Sequence, residues 1–200
     1  PRPNDNEVPQ RVSNFLDVPY YSADFVHTGG NYMTDGFGTA ASTQIAYTEN
    51  NECGTNDSWS IPLAPCNYVN DIMEEYYGIS EYHVVADPNN EYIDHIDCWG
   101  KYLSPNKVLL RSVPISHAQY SMIEEVADYF ESTTTHSGAP WEIFRVYTPY
   151  DQPYSNSLIL NNKVFLPIMN SSWDDDAVAV YEGALPNHEI LTYTGSWYPT

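Results

Sequence analysis

Apolar and polar positions along this chain switch between a period of two and a period of 3.6, and the switch recurs. Residues 43–48 read as a strand. After an insert rich in Asn, Gly and Pro (residues 52–67), residues 69–77 follow a helical pattern closed by Gly78 as a stop. Residues 82–85 read as the returning strand. A second unit repeats the plan. Residues 107–111 form its strand, and residues 119–131 form a helix with Met122, Val126, Tyr129 and Phe130 at i, i+4, i+7 and i+8. Residues 141–146 then form its closing strand. A third unit runs from a strand at 163–168, through a helix opened by Asp174, Asp175 and Asp176, to a strand at 189–193. Three acids at a helix start suit the positive end of its dipole. Hairpins precede the second and third strands: residues 96–103 lead through Ser104-Pro105-Asn106, and residues 156–165 turn on Asn161-Asn162. The full unit is therefore strand–strand–helix–strand. It spans about 40–60 residues, a period that marks repeats. The predicted class is α/β or α+β.

Two hundred residues allow one domain or two small ones. No linker or low-complexity tract divides the chain, so residues 1–200 are read together. Forty-two per cent of residues are hydrophobic, enough for a packed core despite the charge. That charge is lopsided: 7 Lys and Arg against 27 Asp and Glu give a net charge of −20. Such a chain repels a phosphate backbone and an anionic membrane surface alike, so neither nucleic acid nor membrane is an expected partner. The chain opens on Pro1-Arg2-Pro3 without Met or a signal peptide and stops on turn-like residues. Both ends read as cut, as in a processed product or an excised piece.

Cys53 and Cys66 flank the Asn/Gly/Pro-rich insert. A disulfide between them would be worth ~3 kcal/mol on the chain-entropy model and would need an oxidising compartment. Two unpaired loop cysteines are the alternative. The sequons at Asn56 and Asn170 fit a secreted or cell-surface protein weakly. Metal binding is disfavoured, since there is no C-x-x-C and no nearby His pair.

Residues 91–99 hold the strongest chemical constellation. As a strand, they would place His95 and Asp97 on one face and turn Cys98 to the other. A carboxylate can grip a guanidinium through two parallel hydrogen bonds, and a neighbouring His can protonate a leaving group. The plain alternative is a satisfied, half-buried His beside a surface Asp. Cys98 is expected to pack as a small hydrophobe rather than act as a nucleophile. The glycine-rich stretch 28–39 demands tight turns or close backbone approach, but lacks dinucleotide-binding spacing. Asp35-Gly36 suits a hairpin turn. Arg2, held between two prolines, suits a carboxylate clamp. A solvated terminal Arg is the plainer reading.

Four segments carry a resemblance: residues 1–7 (PRPNDNE), 27–36 (HTGGNYMTDG), 91–93 (EYI) with 95–101 (HIDCWGK), and 153–162 (PYSNSLILNN). In that order and spacing they resemble the bacterial, Porphyromonas-type peptidylarginine deiminases. The Cys53–Cys66 insert departs from that pattern. The resemblance implies a pentein fold, a five-bladed pseudo-symmetric α/β propeller of which about three units are present here. It implies hydrolysis of peptidyl-arginine to citrulline and ammonia, without a cofactor; structural calcium or sodium is left open. By the family pattern a Cys thiolate attacks the guanidinium carbon, His95 protonates the departing ammonia and then activates water, and Asp97 binds two guanidinium nitrogens. Asn156 matches an active-site Asn, and Tyr92 lies in the substrate-side segment. Arg2 matches an arginine that holds the carboxylate of a C-terminal Arg. The nucleophilic Cys falls beyond Thr200, and a second guanidinium-binding Asp and another substrate Arg fall before Pro1. The expectation is thus a partial catalytic domain, completed by a companion fragment or by the rest of a longer chain, with an arginine-containing peptide or protein as substrate. Agmatine deiminase, which takes a small free guanidine, and a non-catalytic binding protein on the same scaffold are the alternatives.

Overall fold

The computed structural model describes residues 4–50, 67–90 and 93–195. A first helix, α1 (Val8–Leu16), leaves Val8, Val12, Phe15 and Leu16 exposed on one face. Three units then follow. The first contains β1 (Met33–Thr34), β2 (Thr39–Thr43), the short helix α2 (Ile45–Thr48), α3 (Asn67–Tyr77) and β3 (Glu81–Val85). The second contains β4 (Gly100–Ser104), β5 (Lys107–Ser112), α4 (Tyr120–Ser132) and β6 (Glu142–Tyr147). The third contains β7 (Leu158–Leu160), β8 (Lys163–Ile168), α5 (Asp174–Ala184) and β9 (Glu189–Thr194). Each unit has its own three-stranded sheet, with an antiparallel hairpin followed by a parallel return after the helix. This is the strand–strand–helix–strand plan that the sequence pattern predicts.

The turns form for local reasons. The Asp35 carboxylate accepts the Phe37 and Thr39 N–H groups, and Gly36 supplies the left-handed φ of 74° that closes the β1–β2 hairpin. Gly78, with φ 68°, ends α3 while its N–H bonds the Glu74 carbonyl. Ile123, Val126, Ala127 and Phe130 form the buried face of α4.

Two clusters bury most of the apolar surface, one on each face of the middle sheet. Val108 and Leu110 of β5 pack with Trp99, Tyr102, Phe130 and Trp141, against Met33, Ala41 and Val85 of the first unit. Leu109, between them, points the other way and joins Leu103 and Val146 against Tyr154, Val164, Leu166 and Tyr181 of the third. A strand buried on both faces reads as a continuous apolar run, which is why residues 108–110 show no alternation.

Two expected strands are not strands. Within residues 43–48 the strand β2 ends at Thr43 and α2 begins at Ile45. On the β1 side the Asn31 side chain takes the Thr43 N–H in place of a strand partner; Gln44 makes the last bond to β3, its N–H on the Val85 carbonyl, and turns into helical backbone. Residues 96–98 form a 3₁₀ turn rather than an extended segment, closed by the Cys98 N–H on the His95 carbonyl and the Trp99 N–H on that of Ile96. Ile96 is wholly buried, and burying it bends the chain.

Candidate active site

Residues 86–90, after the end of β3, and residues 93–98, before β4, frame one side of the site. Residues 148–156 leave the end of β6. Both loops thus lie at the carboxyl ends of parallel return strands, where open α/β sheets place their ligand-binding crevices.

One buried amide organises the first loop. Asn31 is 1% exposed, and its Oδ1 accepts hydrogen bonds from the Thr43 N–H (2.8 Å), the Thr43 hydroxyl (2.9 Å) and the Ile96 N–H (3.3 Å). Its Nδ2 donates to the Thr43 carbonyl at 3.4 Å, and the Thr43 hydroxyl also reaches the carbonyl of Asp94. Asp94 has a φ of 48°, a left-handed conformation that Asp tolerates better than most residues. Asn31 therefore ties the end of β2 to the loop that carries His95 and Asp97.

Gly30, the preceding residue, touches both of those side chains. A methyl carbon built on Gly30 would lie 2.5 Å from His95 Nδ1, and 2.8 and 3.2 Å from the two Asp97 carboxylate oxygens. The imidazole and the carboxylate thus face the same small volume over the Gly30 backbone. They meet through the 3₁₀ turn, not through strand alternation. Cys98 is half-buried against the first core cluster, yet its thiol also lies 3.7 Å from Asp97 Oδ1. It is not turned wholly to the opposite face, as a strand would have turned it.

The surroundings are electrostatically loaded. Burial pushes the Asp97 carboxyl up from its ordinary value, while His95, the Cys98 thiol and Lys101 pull it back. Burial lowers Lys101 on β4, and the Asp97 charge raises it again. Glu49 and Asp94 are likewise raised by burial and drawn down by the charge of His95. Burial lowers His27, and His95 lowers it further, against a backbone hydrogen bond at Asn31 that raises it. The His27 Nε2, Thr28 Oγ1 and Glu49 Oε2 atoms are buried without a hydrogen-bond partner. Among the described residues, no group of three or more His, Cys, Asp or Glu side chains is arranged to hold a metal ion.

The second loop docks onto the first. The Ser155 hydroxyl donates to the Asp97 carbonyl at 2.9 Å, and Ser155 is 1% exposed. Asn156, the next residue, is exposed, with its N–H on the Pro153 carbonyl. Behind the loop, the Tyr154 hydroxyl donates to the buried Asp174 at 2.6 Å. Burial alone would raise Asp174, but bonds from Tyr154, Ser171 and Met169 lower it on balance. Asp174 therefore anchors this loop as well as opening α5.

The structure thus brings His95 and Asp97 together, and Asn156 lies next to the Ser155 that bonds the Asp97 carbonyl. Arg2, Tyr92, Cys53 and Cys66 lie outside the described residues. Sequence reasoning did not single out Asn31, Thr43, Glu49, Lys101 or Ser155. The glycine cluster at 29–38 was the one signal pointing toward Gly30.

Comparison with known proteins bears on the fold and the family. The family described as Porphyromonas-type peptidyl-arginine deiminase matches residues 1–196. The agmatine deiminase of Medicago truncatula is 24% identical over 96% of this chain and 58% of its own length. A Mycoplasma mycoides protein provisionally named agmatine deiminase is 25% identical with the same coverage. The chain therefore spans about 58% of the length of these curated relatives. Among solved structures, agmatine deiminase of Enterococcus faecalis superposes with a TM-score of 0.82 at 17% identity, covering 97% of this chain and 59% of that one. A Porphyromonas gingivalis protein provisionally named arginine deiminase gives 0.76 at 21% identity, covering 96% and 60%. DDAH from Pseudomonas aeruginosa gives 0.52 at 14%, covering 96% and 60%. These similarities show the pentein-type fold, with three of its repeating units described here. With nearly its whole length matched by one family, the chain belongs to the Porphyromonas-type peptidyl-arginine deiminases.

Proposed function

We propose that the protein carrying this chain is a guanidine deiminase, a hydrolase of the guanidinium C–N bond, and that agmatine is its substrate. The observation that supports this most is the meeting of His95 and Asp97 over Gly30. A buried carboxylate holds a planar guanidinium through two hydrogen bonds, and an adjacent imidazole serves the leaving amine. A thiolate, which the family pattern puts beyond Thr200, attacks the guanidinium carbon. His95 gives a proton to the departing nitrogen, and ammonia leaves. Water, deprotonated by His95, then adds to the thiouronium carbon. The thiolate departs and a ureido product remains. Cys98 is not the nucleophile of this scheme: it is half-buried against the core, and its thiol lies on Asp97.

Two considerations favour agmatine. The curated relatives described above are named agmatine deiminases. Two acids, Glu49 and Asp94, feel the charge of His95 alongside His27, and Lys101 lies beside Asp97. An acid-rich surround suits a substrate with a positive charge at each end. A peptide ending in arginine is the second reading, favoured by the description of the family. Its carboxylate would need Arg2.

Ammonia release by the purified full-length protein tests both, with agmatine and an arginine-terminated peptide as competing substrates. Agmatine turnover that is lost in His95→Ala is the expected result. Preference for the peptide, abolished in Arg2→Ala, would shift the assignment to peptidyl-arginine. Turnover of neither would leave a binding protein on this scaffold.

A further inference from the structure

Arg111, near the end of β5, is 2% exposed, and its guanidinium bonds only to groups outside its own strand. Nε donates to the Thr148 hydroxyl at 3.0 Å, and Nη2 to the Thr148 carbonyl at 3.1 Å. Nη1 donates to Asn89 Oδ1 at 2.5 Å, and Nη2 to Asp151 Oδ1 at 2.7 Å. Burying a guanidinium is costly unless its donors are paired, and here they are. The partners fall on two segments. Asn89 lies in the loop leaving β3, five residues before Asp94. Thr148 and Asp151 lie in the loop leaving β6, four to seven residues before Ser155. Gln119, at the start of α4, also donates to the Asn89 carbonyl. The Arg111 backbone is held in turn by its N–H on the Trp99 carbonyl and by Arg145 on its own carbonyl.

Both loops need such a hold. Asn90, Asp94 and Asp151 all have left-handed φ, at 50°, 48° and 55°. Such non-glycine conformations persist where surroundings over-determine them. The Ser155–Asp97 bond joins the two loops at their far ends. Arg111 joins them at their near ends.

On the deiminase reading of that site, we propose that Arg111 is a positioning residue: its buried fork clamps the His95–Asp97 loop to the Ser155–Asn156 loop and so sets the shape of the guanidinium pocket. Lysine cannot replace it, because an ammonium lacks the planar fork that reaches Asn89, Thr148 and Asp151 together.

The test uses the full-length protein with Arg111→Lys, Asp151→Ala and Asp151→Asn, and Glu189→Gln as a control at the exposed ion pair with Lys163. The Asp151 side chain is 61% exposed, so its removal leaves the core intact even where Arg111→Lys fails to fold. Asp151→Ala is expected to lower kcat about 10- to 100-fold, the cost of a misplacement near 1 Å, well beyond what its fall in thermal midpoint explains. Asp151→Asn, which keeps an acceptor oxygen, recovers most of that loss, and Glu189→Gln loses nothing. Amide exchange in residues 93–98 and 153–157 speeds up in Asp151→Ala, whatever the substrate. Unchanged kinetics in Asp151→Ala would overturn the clamp, as would unchanged exchange in both segments or a loss that merely tracks lowered stability. If the wild-type protein turns over neither agmatine nor an arginine peptide, the deiminase reading falls, and the exchange rates alone then decide the clamp.

Discussion

Replacing Gly30 by alanine tests the site at its tightest point. The added carbon would sit 2.5 Å from His95 Nδ1, where ordinary contact begins near 3.4 Å. The imidazole must therefore retreat about 0.9 Å, and the Asp97 carboxylate, met at 2.8 Å, about 0.6 Å. Overpacking of this kind costs about 1–3 kcal/mol. The loss of unfolded-chain freedom on Gly→Ala returns about 0.4–1 kcal/mol. The net cost, about 1–2 kcal/mol, leaves an ordinary domain folded. Function suffers far more, because a shift near 1 Å at the reacting groups costs about 100-fold. Gly29→Ala supplies the control: nothing lies within 4 Å of a carbon added there. In the full-length protein, Gly30→Ala should lose about 100-fold in kcat/KM for agmatine while Gly29→Ala stays within about twofold. Thermal melts of both variants separate misplacement from unfolding. Equal activity in the two variants, or a Gly30→Ala loss explained by unfolding, would refute the idea that His95 and Asp97 work together over Gly30.

Three further outcomes follow from the same structure. Asn31→Ala strips partners from the buried Thr43 and Ile96 N–H groups, and should cost about 2–4 kcal/mol by denaturant melts; wild-type stability in this variant would deny Asn31 its role. Asp97 is raised by burial, so the folded state holds its proton more tightly than the unfolded chain does. Its contribution to stability is full below about pH 3.8 and is lost as pH rises through the folded value. Asp97→Asn should therefore be inactive yet more stable than wild type at pH 7, with the gap closing toward pH 4, and a pH-independent gap would contradict this. His83 is 3% exposed and held below 6.5 by burial, against the opposing pull of Glu81 and the Thr134 backbone. Its contribution is full above pH 6.5 and shrinks as pH falls, so urea midpoints should drop between pH 7.5 and 5, and less steeply in His83→Gln.

Legibility of the fold followed periodicity. The helix at 119–131 and the strand at 163–168 lie within a residue of their observed bounds, because one buried face imposes one period. Failures came where a contact from far along the chain overrode the local pattern. Residues 43–48 read as a strand-like run, but after the Gln44 N–H makes its bond to the Val85 carbonyl the chain coils into α2. Residues 95–98 would alternate as a strand, but the buried Ile96 and the Asn31 bond to its N–H, 65 residues away, bend them into a 3₁₀ turn. The helix α1 went unread although Val8, Val12, Phe15 and Leu16 keep helical spacing.

The candidate site divides along the same line. His95 and Asp97 stand out in a sequence because their side chains have few other reasons to sit two positions apart. The residues that hold them do not stand out. Gly30 acts by lacking a side chain, Asn31 by an amide buried among backbone groups, and Ser155 by one hydroxyl reaching 58 positions back to Asp97. Arg111 is the instructive case. Among four arginines in so acidic a chain, an interior strand position is the last place to expect one. The cost of burying its charge must be met by several acceptors at once, and the acceptors within its reach are on the two loops that frame the crevice. A buried cation inside an apolar strand run therefore marks where loops converge. In a repeat fold whose return strands β3 and β6 send their loops to one another, that convergence is where chemistry is to be sought.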